Sequence, residues 1–147
     1  MSEKITVIIE DIADALDMTM DCWEQFLNTA TGEIVSLSDG SYVETDEELA
    51  EQIDGSDDYV RLPNQREIEE YRIMEDFADV CPDAGNRGEL YRALNGRKPF
   101  RHFKDALKYA GIEEDYYAFR FLALVDIAGE WCEAYKIPYK HRDAGQK

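Results

Sequence analysis

The run Asn95–Asp105, NGRKPFRHFKD, gathers the side chains best suited to act on an anion. Arg97, Lys98, Arg101, His102 and Lys104 lie close together there, and Lys108 continues the series. Pro99 suits the first turn of a helix, where its fixed φ is already helical and its missing N–H would have had no partner. A helix begun at Pro99 and stopped at Gly111 sets Arg101, Lys104 and Lys108 at i, i+3 and i+7, a stripe along one face. Phe100, Phe103, Leu107 and Ala110 then form the inward face. Arg97 and Lys98 stand at the helix mouth, where free backbone N–H groups and the positive dipole end favour negative charge. The chemistry on offer is recognition of a phosphate, a nucleotide or an acidic peptide, with His102 near enough to tune it with pH. The same stripe is also what a solvated amphipathic helix presents, or what would neutralise an acidic region of the same chain.

Catalytic constellations are few. The two histidines are His102 and His141, so a general acid or base depends on His102. An enzyme acting on a phosphorylated or nucleotide substrate would need that imidazole exposed in a cleft, ideally with a carboxylate such as Asp105 or Glu89 in reach. No P-loop, G-x-G-x-x-G, H-E-x-x-H or G-x-S-x-G occurs. Cys22, Cys81 and Cys132 are far apart and in no C-x-x-C spacing, which reads as three small buried hydrophobes. The acidic groups Glu44, Asp46, Glu47, Glu48 and Asp54, Asp57, Asp58 lack the alternating ligand positions of an EF-hand and read as solvated turns. Tyr116, Tyr117, Phe119 and Trp131, at helical spacing, read as core. Neither a metal nor a cofactor is expected.

The elements that position the stripe follow from pattern. At 147 residues, with 44% hydrophobic and 12% aromatic residues, the chain can bury a real core. It is read as a single domain, 1–147, with an acidic α/β half (1–63), a helical half (64–137) and a polar tail (138–147). A helix is expected from about Ile8 to Leu16, after a short strand. Two β-prone runs flanking Asn28–Gly32 make a hairpin. Thr45 caps a short helix over Asp46–Ile53, and Tyr59–Leu62 is a third strand stopped by Pro63. Asn64 with Glu67 forms a capping box that opens one helix through Val80, with Ile68, Tyr71, Met74, Phe77 or Ala78, and Cys81 on one side. Helices Asn86–Leu94 and Pro99–Ala110 follow. The last helix, Glu113–Tyr135, turns Tyr117, Phe121, Leu124, Ala128 and Trp131 to one side, with Tyr116, Phe119 and Ala123 beside it. The fold class is α+β: a small antiparallel sheet, hairpin plus third strand, packed on a C-terminal helical bundle.

Charge is divided unevenly. The net charge is −17, yet residues 1–60 hold one basic residue, Lys4, against 17 acidic ones, and Arg87–Lys108 hold seven Lys or Arg against Glu89 and Asp105. So acidic a first half opposes direct binding of a nucleic-acid backbone. It suits better a surface that imitates nucleic acid or docks on a basic protein. No secretory signal or membrane-spanning run is evident, which places the chain in the cytoplasm.

NGRKPFRHFKDAL resembles the central motif of a bacterial family catalogued as uncharacterised protein family 0158, a Gly and a basic residue followed by a Phe-Arg-Arg-Phe-Lys-Asp run, with His102 here in place of the second Arg. The likeness extends to TGEIV, to YRIMEDF, and to DYYAFRFLALVDIAGEWCEAYKI, with Cys132 where the family pattern has Leu. It implies a soluble bacterial protein and carries no catalytic residue. The expected function is a non-enzymatic binding or adaptor module whose partner, another protein or a small anionic ligand, meets Arg97, Lys98, Arg101, His102 and Lys104.

Overall fold

The computed structural model describes residues 4–142 and is an α+β protein. Its elements run β1 (Val7–Ile8), α1 (Ile9–Asp17), β2 (Trp23–Asn28), β3 (Ile34–Ser38), α2 (Glu47–Asp54), β4 (Tyr59–Arg61), α3 (Gln65–Ile68), α4 (Glu70–Val80), α5 (Ala84–Asn95), α6 (Pro99–Ala110), α7 (Glu113–Ala134) and β5 (Tyr139–Lys140). They fall into two compact units, one of residues up to Ile68 together with those from Leu124 onward, the other Glu69–Ala123. Helix α7 gives its first half to one and its second half to the other.

In the first unit the antiparallel sheet has the order β3-β2-β4, with Leu27 opposite both Ile34 and Val60. The hairpin forms where the sequence places it. Asn28 folds its side-chain oxygen onto the N–H groups of Ala30 and Thr31, and Gly32 takes φ +82°. A Cβ at Gly32 would come within 2.5 Å of the Ile5 side chain, so conformation and space both ask for glycine. Helix α1 buries Ile9, Ile12, Ala13 and Leu16, as its periodicity requires, and the indole of Trp131 donates to the Arg61 carbonyl at 2.9 Å.

Four local expectations are corrected. Asp46, not Thr45, caps α2 by accepting from the Leu49 N–H, because the Thr45 hydroxyl is committed to the Ser38 carbonyl. The capping box of Asn64 and Glu67 forms in both directions, but the helix it opens ends at Ile68. Glu69 adopts φ 57°, a left-handed conformation, and α4 restarts in a new phase that buries Ile73, Met74, Phe77 and Ala78. The break falls at the boundary between the units. Cys81 and Cys132 are buried, whereas Cys22 is half-buried in a left-handed turn. Burial, with Glu133 adjacent, pushes the Cys132 thiol up to about 11, which makes it unreactive at neutral pH.

The fourth concerns the tail. Ile137 is buried, and Tyr139–Lys140 lies parallel to Val7–Ile8 as an added strand, with the Val7 N–H on the Pro138 carbonyl. Residues 143–147 of that tail lie outside the described residues. The strand is held by charge as well: the Glu10 carboxylate accepts from the His141 ring at 2.9 Å and from the Arg142 backbone N–H at 2.6 Å, and the Arg142 guanidinium meets Asp11 at 2.6 Å. Burial alone would raise the pKa of Glu10, but these hydrogen bonds outweigh it and hold the carboxyl below its ordinary range. A depressed carboxyl pKa stabilises the fold above the unfolded value and loses that contribution as pH falls through the folded one. The wild type should therefore lose more thermal stability between about pH 6 and pH 3 than a Glu10→Gln variant does. Parallel curves for the two would show that Glu10 does not tie the strand down.

Candidate functional site

The stripe belongs to the second unit, and its platform is aromatic. Tyr116 is fully buried at the centre, with the Phe77 and Phe103 rings edge-on to it at 5.3 and 5.2 Å. Phe103 and Leu107 are the buried residues of α6, while Leu90, Ala93 and Leu94 are those of α5. Two expected inward positions differ. Phe100 is 49% exposed, because in the first turn of α6 it meets the Tyr71 ring on one side only, at 6.4 Å. Along α7, Tyr116 is buried and Tyr117 is half-exposed, while Leu124, Ala128 and Trp131 are buried as expected.

The turn Asn95–Lys98 feeds Pro99 into the first turn of α6, and Lys98 precedes it at φ 48°. The Lys98 side chain caps nothing. Its carbonyl takes the His102 N–H, which leaves the N–H groups of Phe100 and Arg101 without an acceptor among the described residues of this unit. Gly111, at φ 72°, closes the helix by returning its N–H to Lys108 and that of Ile112 to Leu107.

Arg97, Lys98, Arg101, His102, Lys104 and Lys108 are all exposed. Among the described residues of the unit, none of their side chains forms an ion pair or hydrogen bond. The other two cations of the basic region are occupied: Arg87 donates twice to the Cys81 carbonyl, and Arg92 pairs with Glu89. Five cations are thus left in a row along one helix and its mouth. His102 stands beside them, and among the described residues of this unit neither Asp105 nor Glu89 is hydrogen-bonded to it.

Sequence reasoning passed over a second arrangement in this unit. The Glu70 carboxylate accepts from the Tyr116 hydroxyl at 2.6 Å and from Arg120 at 2.9 Å, with both partners of the ion pair mostly covered. Burial first, then the Glu70 hydrogen bond, pushes the Tyr116 hydroxyl far above its ordinary range, so it acts as a fixed donor. The sole sequence signal was the i, i+4 pair Tyr116 and Arg120 on α7, which aims two donors at one point. The first unit carries an open cleft lined by Asp126, Glu130, Glu133, Tyr139 and His141, none of them stripe residues. Among the described residues no group of His, Cys, Asp and Glu is placed to hold a metal ion, and no helix is long and apolar enough to cross a membrane.

Compared with known families, residues 3–144 match the model of UPF0158, described as an uncharacterised protein family. No match was found among the curated proteins or among the solved structures.

Proposed function

We propose that this chain, which belongs to the uncharacterised protein family UPF0158, is a non-enzymatic binding module that takes an anionic partner on the basic start of α6. Arg97, Lys98, Arg101 and Lys104 carry the contact, and His102 lies at its edge. One observation carries the reading: these side chains are exposed and unpaired within their unit, beside two uncapped N–H groups, while Arg87 and Arg92 nearby are used up internally. A stripe that served its own unit would show pairs like that of Arg92 with Glu89. Half-exposed Phe100 adds an apolar contact next to the charges, which favours a partner with an aromatic or aliphatic group over a bare ion.

The test compares the wild type with an Arg97→Ala, Lys98→Ala, Arg101→Ala variant in thermal unfolding, each with inorganic phosphate, nucleotides and a short acidic peptide. Without ligand the two should melt alike, because the removed side chains hold nothing in their unit. A true ligand at a hundredfold excess over its Kd should add about 2.7 kcal/mol to the wild type and nothing to the variant. Equal shifts in both, or no shift in either, would defeat the reading.

A further inference from the structure

We infer that the anionic partner is a second copy of this chain, whose α2 presents a row of carboxylates to the stripe; this rests on the binding reading above and names its partner. Helix α2 buries none of its residues completely. Glu47, Glu51 and Asp54 are exposed and recur at i, i+4 and i+7, so they stand on one face. The stripe repeats almost the same ruler: Arg101, Lys104 and Lys108 at i, i+3 and i+7, with Arg97 one turn before. Each row runs about 10 Å, at 1.5 Å per residue. Two helices laid side by side along these faces bring three charges of each sign into register. Neither row has an ion pair among the described residues of its own unit.

Apolar groups lie beside both rows. Tyr42 is 88% exposed and Val43 51% exposed just ahead of α2, and Phe100 is 49% exposed at the start of α6. An anionic surface flanked by an exposed aromatic thus has its counterpart, a cationic surface flanked by an exposed aromatic, on the same sequence. The net charge of −17 makes two copies repel at long range. That repulsion is screened beyond roughly 8 Å at physiological salt, whereas charges brought into contact are screened less. Association is therefore weak and needs moderate salt. Because the contact joins two different surfaces, it either repeats symmetrically in a two-fold pair or runs on head to tail.

Charge exchange tests this. In an Arg101→Glu, Lys104→Glu variant the new carboxylates sit near a helix start, and in a Glu51→Lys, Asp54→Lys variant the new ammonium groups sit near a helix end. Both suit the helix dipole, and far-ultraviolet circular dichroism checks that each folds. Should either fail to fold, the corresponding Gln substitutions replace it. Sedimentation velocity of the wild type should show a mass that rises with concentration toward the dimer or beyond. Each variant alone should remain monomeric, and an equimolar mixture should associate again, because opposite rows are restored across the two chains. A wild type that stays monomeric into the millimolar range overturns the inference. So does association that survives both exchanges, or a mixture that fails to recover it. If the wild type is monomeric yet phosphate or an acidic peptide still stabilises it and not the triple alanine variant, the binding site stands and the second copy is the wrong partner.

Discussion

Replacing Phe103 with alanine should destabilise the Glu69–Ala123 unit by about 3–5 kcal/mol, the range for deleting a buried aromatic ring. Phe103 is fully buried, and its ring meets that of Tyr116 edge-on at 5.2 Å. Truncation removes the transfer energy of the ring and its edge-to-face contact, and leaves a void that close-packed neighbours cannot fill by small movements. Phe100, three residues earlier and half-exposed, should cost roughly 1 kcal/mol or less on the same change, because little of its surface leaves water. Chemical denaturation of the two variants measures the difference. Equal losses would mean that α6 is not anchored through Phe103. The contrast matters for function, since Phe103 and Leu107 fix the rotation of α6 and so decide that Arg101, Lys104 and Lys108 face outward. A loss of binding in Phe103→Ala would report a displaced helix and could not be ascribed to the stripe.

What the sequence conveyed about this site was local chemistry. Pro99 and Gly111 bound α6 because each suits one backbone state at a helix end, and the spacing of Arg101, Lys104 and Lys108 on a helix needs no tertiary knowledge. The Asn28–Gly32 reversal and the Asn64–Glu67 box were legible for the same reason. What stayed hidden depends on residues distant in sequence. Glu69 has no local reason to be left-handed; its φ of 57° falls where the chain passes from one compact unit to the other. Tyr116 and Tyr117 are alike as letters, and burial of the first follows from Phe77 and Phe103 meeting its ring and from an acceptor for its hydroxyl at Glu70. The strand at Tyr139 needs β1, more than 130 residues earlier, before it has anything to pair with. The stripe was visible as a pattern, but whether a cation is used internally depends on the tertiary fold: Arg87 and Arg92 are occupied, while the other five have no partner among the described residues of their unit.

Glu70→Ala should cost about 3 kcal/mol, more than the loss of any exposed ion pair in this chain, because it strips a mostly covered guanidinium and a buried hydroxyl of one shared acceptor. Exposed pairs such as Arg92 with Glu89 are worth about 0–1 kcal/mol, since water competes for both partners. The Glu70 carboxylate differs in being gripped by both Nε and the terminal nitrogen of Arg120, with the Tyr116 hydroxyl at 2.6 Å as its further donor. Tyr116→Phe removes one donor, keeps the ring among Phe77, Phe103 and Tyr117, and should cost about 1–2 kcal/mol. A double-mutant cycle combining Glu70→Ala with Tyr116→Phe isolates their coupling: once the acceptor is gone, loss of the hydroxyl should cost much less, leaving an interaction energy near 1 kcal/mol or above. Strict additivity would mean that the hydroxyl finds another acceptor when Glu70 is absent. Tyr116 sits between the network and the ring cluster that supports α6, so the same cycle reports how firmly the stripe is held. If binding to the stripe weakens in Glu70→Ala but not in Tyr116→Phe, the carboxylate acts through the placement of the helices and not through the hydroxyl it accepts from.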